Sequence, residues 1–388
     1  MSPAPIRRPQ AGGGRRRDRG TFAVIAGGGT GGHVLPAVAI GQALVAAGHP
    51  ATAVRFVGAK RGMEAHLVPD AGFEVILLPG RGVVRRLSPQ NLGALAGLIA
   101  AAVAAMVVVG RLRPAVVISV GGYASVACSV AAIVWRIPII VAEQNAVPGL
   151  ANRLAGRFAA ASAVSFPGTP LPRAVVTGNP VRDEMRSIDR SAAGRRAARE
   201  ALGLPADAAV VAVSGGSLGA RRINQSTVSM AQAWADRRGV AIRHVVGERD
   251  RQAMAAAAPV PTPGGLVYQQ VAFEHRMDLL YGAADLAVQR SGAGTCFELA
   301  AAGLASVLVP LPGAPGDHQG FNARRLEAAG AAVVIADADL DGTRLAAAVG
   351  PLLADPDRLS AMGDAAHRLA RPDAAARVAA LAVQHARG

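Results

Sequence analysis

The chain has 388 residues, 51% of them hydrophobic but only 3% aromatic, and 41 basic against 26 acidic side chains give a net charge of +15. That length holds two domains of ordinary size, with cores built largely from Ala, Val and Leu. Two cysteines exclude a disulfide framework, and scarce aromatics without a zinc-finger or RNP motif argue against nucleic acid as partner; the positive field suits phosphates or anionic lipid.

Residues 1–20 are rich in Pro, Gly and Arg and lack apolar periodicity, so they read as a disordered basic tail. They contain no apolar run, and no signal peptide is expected there. From Thr21 onward, strand and helix alternate. Phe22–Ala26 is a short apolar run ending in glycines, followed by a helical stretch from His33 to Ala47. Val54–Val57 and Val75–Leu78 read as strands. From Leu92 to Gly110 there is no charge, and Arg85, Arg86, Arg111 and Arg113 flank the run. Length alone admits a membrane-spanning helix. Its Ala and Gly content gives little insertion energy, and a strand-like VVISVGG follows at once. The expectation is therefore a helix that is buried or touches a membrane surface. Ala115–Val120 reads as a strand, a helix runs to Trp135, and Ile137–Ala142 is another strand. Continuous apolar strands joined by helices mean a parallel sheet covered on both faces.

The theme restarts at Ala208. Ala209–Ser214 ends in Gly215-Gly216, and a helical segment runs from about Leu218 to Trp234. His244–Val246, Leu266–Val271, Leu286–Val288, Ser306–Pro310 and Ala332–Ile335 continue the alternation. Two halves that each open with strand, glycine loop and helix predict an α/β fold of two Rossmann-like, doubly wound parallel sheets. The expected domains are residues 21–180 and 181–370, with the joint between Gly178 and Leu204. The last helical stretch, Pro356–Arg387, is amphipathic, and residues 371–388 are expected as a terminal helix able to pack across the domains.

Four predicted strand ends carry glycine loops. The first, Gly27-Gly28-Gly29-Thr30-Gly31-Gly32-His33, allows backbone to approach a phosphate, and the following helix start offers free N–H donors. It matches G-x-G-x-x-G, yet the second strand ends Phe56-Val57-Gly58-Ala59-Lys60, without the acidic residue that holds a ribose in dinucleotide sites. A P-loop is excluded because His33 and Val34 stand in place of Lys and Ser/Thr. The others are Gly121-Gly122-Tyr123-Ala124-Ser125, Gly215-Gly216-Ser217-Leu218-Gly219-Ala220 and Arg290-Ser291-Gly292-Ala293-Gly294-Thr295, the last leading into a helix that carries Glu298. Each alone is commonly a turn. Together, at the C-terminal ends of parallel strands, they predict a cleft that grips a diphosphate.

The segments GGGTGGHVLPA, VGGYAS, EQNAVPG, GNPVR, GGSLGA, RSGAGTCFE and DHQGFNA occur in this order over residues 21–370. In order and approximate spacing the chain resembles the MurG family of glycosyltransferases. The resemblance implies a GT-B fold, two Rossmann-like domains facing a cleft with the donor mostly in the second. It implies an inverting hexosyltransferase that moves GlcNAc from UDP-GlcNAc to the MurNAc 4-hydroxyl of undecaprenyl-diphosphate-MurNAc-pentapeptide (lipid I), giving lipid II at the cytoplasmic face of the cell membrane. No cofactor is expected.

His33 is the candidate catalytic base, since an imidazole titrates near neutral pH; a loop-ordering or phosphate-touching role is the alternative. The resemblance sets Thr30, Gly31, Gly32 and Asn145 near the acceptor side of the donor sugar and Arg182 and Ser217 at donor contacts. Arg182 would face phosphate charge or form a hinge ion pair, and Ser217 would bind phosphate or simply cap a helix. Ala293, Gly294 and Thr295 belong to the same donor-binding set. Glu298 is implied to accept from ribose hydroxyls, and Gln319 with Asn322 to read the sugar hydroxyls. Three positions depart from the family pattern. Leu218 replaces a usual glutamine, Glu274 stands where an apolar residue commonly lies beside the uracil, and Ala142 precedes Glu143-Gln144-Asn145 in place of a larger residue.

No metal is expected. Asp337-Ala338-Asp339-Leu340-Asp341-Gly342 opens like a calcium loop, but Ala348 occupies the twelfth position, so it reads as a turn with helix-capping carboxylates. Arg81, Arg85, Arg86, the apolar helix from Leu92 and the pair Trp135-Arg136 suit an anionic membrane surface, or an ordinary core with a solvated rim. Two other readings stand beside the transferase: a UDP-GlcNAc 2-epimerase-like enzyme, and a non-catalytic nucleotide-sugar-binding membrane scaffold.

Overall fold

The computed structural model describes residues 20–29, 31–60, 62–79, 90–216 and 219–388. The basic tail (apart from Gly20), Thr30, Arg81, Arg85, Arg86, Ser217 and Leu218 lie outside the described residues.

The first half runs β1 (Ala23–Gly27), α1 (Gly31–Ala46), β2 (Val54–Ala59), α2 (Glu64–Asp70), β3 (Glu74–Leu78), α3 (Gln90–Leu112) and β4 (Val116–Gly121). It continues with α4 (Tyr123–Val134), β5 (Ile139–Glu143), α5 (Leu150–Gly156), β6 (Ala161–Val164) and β7 (Ala174–Val176). Its seven strands are parallel in the order β3-β2-β1-β4-β5-β6-β7. Next come α6 (Asp183–Arg186), α7 (Ala192–Ala201), β8 (Ala209–Ser214), α8 (Arg221–Ala233), β9 (Val240–Val245), α9 (Arg251–Ala256), β10 (Val267–Val271) and α10 (Met277–Ala283). The chain closes with β11 (Leu286–Gln289), α11 (Ala293–Ala302), β12 (Ser306–Leu308), α12 (His318–Ala328), β13 (Ala332–Val334), α13 (Gly342–Leu353), α14 (Pro356–Leu369) and α15 (Ala374–His385). The second sheet is also parallel, in the order β10-β9-β8-β11-β12-β13.

Strand periodicity explains why both sheets are covered twice. Along β1, Ala23 and Ile25 enter one apolar cluster and Val24 and Ala26 the other. Along β8, Val210 and Ala212 face one layer, and Val211 and Val213 the opposite one. A strand buried on both faces reads as a continuous apolar run, which is how β1, β4, β5 and β8 announce themselves.

Ala101, Ala105 and Val109 bury one stripe of α3, while Ile99, Val103 and Val107 on another stripe remain exposed. Among the described residues no helix is long and apolar enough to cross a membrane. The stretch from Pro356 to Arg387 is two helices rather than one. α14 packs on α11 in the second half, and α15 crosses back to pack on α1 in the first. Three elements carry weak sequence signals. β6 and β7 have only four and three residues, and α2 is a seven-residue helix containing Pro69.

In each sheet the order reverses beside the opening strand, so β1 and β4 flank one switch point and β8 and β11 the other. Ligands of open parallel sheets bind at such points, outside the carboxyl ends of the strands. The four glycine loops follow these four strands.

Candidate functional site

The two switch points open into one cleft of about 900 Å³. From the first half it is lined by Gly31, Gly32, His33 and Asn145, and from the second by Arg182, Ala293, Gly294, Thr295, Glu298 and Gln319. Apart from Asn322, every candidate substrate-site residue within the described regions borders one space.

The opening glycines of the first two loops hold each other, while Gly31 and Gly32 of the first line the cleft. A Cβ on Gly122 would lie 2.7 Å from the Gly28 carbonyl oxygen, and the Gly28 N–H donates to the Gly121 carbonyl at 3.3 Å. The loops after β1 and β4 thus interlock backbone to backbone. Gly121, at φ +97°, also makes room for the imidazole, since a Cβ there would sit 3.0 Å from His33 Cδ2 and Nε2. Among the described residues of this loop, Gly31, Gly32 and His33 line the cleft, so they bring the first turn of α1 to it.

His33 is the third residue of α1 and is half-buried. Burial pushes its imidazole below the ordinary value of 6.5; Glu143 pulls it up, His318 pushes it down and Glu64 pulls it up. The proton is thus given up more readily than from a free histidine, as suits a base that must be neutral before it works.

Glu143, at the end of β5, is 3% exposed and organises the next loop. It accepts from Asn145 N (2.9 Å), Asn145 Nδ2 (3.2 Å), Gly149 N (3.1 Å) and Asn152 Nδ2 (2.9 Å). Asn152 in turn accepts from Ser119 Oγ at 3.0 Å. Sequence reasoning quoted Glu143 inside a motif but gave it no role. A carboxylate followed by a run of Asn, Gly and Pro is a signal that loop amides need a common acceptor.

In the second half, the α8 and α11 N-termini border the cleft behind Ala220 and Gly292, and neither N-cap side chain bonds the helix. Away from the cleft, α7, α13 and α14 are capped by Ser191, Asp341 and Asp355. α10 and α15 also lack a side-chain cap; what sets α8 and α11 apart is that their first turns border the cleft, where free amides suit an anion.

Arg182 and Glu298 approach each other, Nη2 to Oε1, at 3.3 Å. Arg182 Nε is buried with no hydrogen-bond partner among the described residues. Burial holds the Glu298 carboxyl above the ordinary carboxylate range, against the pull of Arg182. Gln319 Oε1 accepts from Leu311 N at 2.9 Å, which leaves its NH2 end as the group it offers a ligand.

Four further arginines line this half: Arg221, Arg222, Arg249 and Arg290. Arg221 and Arg249 share Asp250 at 3.6 and 2.8 Å, Arg290 pairs with Asp337 at 2.6 Å, and Arg222 donates to the carbonyls of Leu340 and Ala338. Two guanidiniums on one carboxylate leave excess positive charge beside the α8 N-terminus. Arg221 and Arg222 directly follow GGSLGA, a position that marks them, whereas Arg249 is brought in by the fold alone.

Three expectations change or sharpen. Asn322 does not read sugar hydroxyls: it is fully buried, accepts from Ala146 N at 3.0 Å and donates to Asn145 Oδ1 at 3.2 Å and to the Ser291 carbonyl at 3.1 Å, tying the two halves together. Glu274 is buried against Arg243 at 2.7 Å, outside the cleft lining. In the acidic turn Asp341 does cap a helix, whereas Asp337 is the partner of Arg290.

Two doubly wound halves, one presenting an imidazole and the other open helix starts with arginines, define a two-domain transferase of the GT-B type. The chain belongs to glycosyltransferase family 28, whose N-terminal domain matches residues 23–164 and whose C-terminal domain matches residues 210–378. It is 40% identical to a protein of Desulforudis audaxviator, over 90% of this chain and 95% of that one, and 41% identical to one of Nocardioides sp., over 93% and 97%. Both relatives are described as UDP-N-acetylglucosamine–N-acetylmuramyl-(pentapeptide) pyrophosphoryl-undecaprenol N-acetylglucosamine transferase. The crystal structure of Acinetobacter baumannii MurG superposes with a TM-score of 0.75 at 29% identity, covering 94% of this chain and 99% of that one.

Proposed function

We propose that the chain transfers N-acetylglucosamine from UDP-GlcNAc to the MurNAc 4-hydroxyl of undecaprenyl-diphosphate-linked MurNAc-pentapeptide, with inversion, to form lipid II. The observation that carries the reading is the single cleft in which His33 on one sheet faces Arg182, Glu298 and two uncapped helix starts on the other. The acceptor hydroxyl attacks the anomeric carbon of GlcNAc as its bond to the diphosphate oxygen breaks. His33 takes the hydroxyl proton, and the departing UDP carries away the bonding pair. The α8 and α11 amides with Arg182 receive the charge that develops on the diphosphate. Glu298 accepts from the ribose, and Gln319 donates to a sugar hydroxyl.

The acceptor is a lipid, and the first half offers a surface for it. Ile99, Val103 and Val107 on α3, Val130, Ile133 and Val134 on α4, and Leu150, Leu154 and Phe158 around α5 are exposed. α4 packs against both α3 and α5. Trp135 closes α4, donates from Nε1 to the Met106 carbonyl and lies under Arg113, with Arg136 beside it. An aliphatic surface rimmed by cations suits the cytoplasmic face of an anionic membrane, with the chain held peripherally.

Incubation with labelled UDP-GlcNAc and a lipid I analogue tests the reading. Label in the lipid product supports it. Acceptor-independent release of UDP with ManNAc identifies an epimerase, and binding without turnover identifies a scaffold; either outcome overturns it.

A further inference from the structure

We propose that Glu64 is a positioning residue for the transfer: its buried carboxylate clamps the first glycine loop to the end of β2 and so fixes the start of α1, where His33 stands. The proposal rests on His33 acting at the acceptor side of the cleft. Glu64 opens α2, is 2% exposed, and is absent from the cleft lining. Its Oε2 accepts from Gly29 N at 2.8 Å and its Oε1 from Ala59 N at 2.7 Å. One carboxylate thereby joins the loop after β1 to the last residue of β2, two neighbouring strand ends.

Three glycines make the seat. A Cβ on Gly28 would fall 2.3 Å from the Glu64 carboxyl, one on Gly58 2.3 Å from its Cγ, and one on Gly62 2.0 Å from its Oε2. A Cβ at any of the three would push the Glu64 side chain out of its place, so the glycines leave the room that the carboxylate fills. A buried carboxylate is costly to desolvate and needs hydrogen bonds to its oxygens, which Gly29 and Ala59 supply here. For a group outside the cleft, that cost is repaid in loop position. The charge also acts at a distance: with Glu143 it opposes the burial of His33, while His318 acts the other way.

The test compares wild type with Glu64→Gln, Glu64→Asp and Gly62→Ala in transfer from UDP-GlcNAc to a lipid I analogue. UDP-GlcNAc affinity and melting temperature are measured in parallel. If the wild-type chain transfers nothing, the functional reading itself fails, and Glu64 with it. Given wild-type transfer, Glu64→Gln is expected to lower kcat about tenfold or more. The donor KM stays within about twofold, because the donor pocket belongs to the other half. The acid limb of its pH profile moves to lower pH, since a negative charge near the base is gone. Glu64→Asp keeps the charge but shortens the reach, so kcat falls while the limb stays. Gly62→Ala displaces the carboxylate from the opposite side and lowers kcat with Glu64 intact, a readout that remains if Glu64→Gln fails to fold. A kcat within twofold of wild type in Glu64→Gln with an unmoved limb, or in Gly62→Ala, overturns the proposal.

Discussion

On the first side of the cleft the loops rest on buried carboxylates, Glu64 and Glu143, whereas on the second they are edged by arginines and by helix starts without side-chain caps. Both sides use the same architecture, a parallel sheet with glycine loops at its switch point. The difference lies in what the loop amides are for. On the first side Gly29, Ala59, Asn145 and Gly149 donate inward to a carboxylate, and an imidazole points into the cleft. On the second side, first-turn amides border the cleft, and the guanidiniums beside them are held by Glu298, Asp250, Asp337 and backbone carbonyls. On the proposed reading, a scaffold repeated within one chain is tuned to proton transfer in one copy and to anion binding in the other by which groups occupy its loop donors.

The largest test of that contrast is His33→Ala. General-base assistance contributes about 10²–10⁴ in rate, and kcat is expected to fall by that factor with donor affinity nearly unchanged. Steady-state transfer assays with calorimetric titration of UDP-GlcNAc check both halves of the statement, and near-normal turnover removes His33 from the mechanism. Arg182→Met should do the reverse and weaken UDP-GlcNAc binding by about 1.5–3 kcal/mol, the range for a hydrogen bond to a charged group. If Arg182→Met leaves donor affinity intact, its pairing with Glu298 is only a hinge contact.

The next effect is on stability and belongs to the second half. His244 lies fully buried between Tyr268 OH at 2.7 Å and Asn224 Oδ1 at 3.1 Å, and burial pushes its pKa down to about 3. Asn224 extends this network from α8 to Asp250, the carboxylate shared by Arg221 and Arg249. Below the ordinary value of 6.5 the unfolded imidazole takes a proton that the folded one refuses. Stability therefore falls as pH drops through the window from about 6.5 to about 3, by about 1.4 kcal/mol per pH unit from this residue. Urea titrations at pH 7 and pH 5 should show a shallower loss in His244→Gln than in wild type. Equal losses would remove His244 from the account.

How far the sequence revealed all this depends on where each group gets its meaning. Strands buried on both faces, such as Val116–Gly121, are continuous apolar runs and were legible, as were the glycine loops that end them. Ala161–Val164 and Ala174–Val176 were not, because four and three residues carry too little pattern to rise above a loop. At the site, residues inside motifs were legible as candidates. Glu64 was not, since its partners Gly29 and Ala59 lie on two strand ends that only the sheet brings together. Arg249 follows β9 and reaches the cleft only because β9 neighbours β8. Asn322 was misread because an amide beside Gln319 looks identical in sequence whether it faces a ligand or closes a domain contact.

The smallest predicted effect tests an asymmetry outside the cleft. Exposed aliphatic stripes on α3, α4 and α5 belong to the first half, while the second exposes Val260, Phe273, Leu311 and Phe321 at separate points of the chain. If the first half alone meets the membrane, Arg136→Ser should weaken binding to anionic vesicles by about 1 kcal/mol, roughly fivefold, and the loss should shrink as salt screens the surface charge. The comparable change at Arg324, exposed on α12 of the second half, should leave vesicle binding unaltered. Cosedimentation with vesicles of neutral and anionic lipid distinguishes the cases. Equal losses from the two substitutions would mean that the net charge of +15, rather than the patch on the first half, draws the chain to the bilayer.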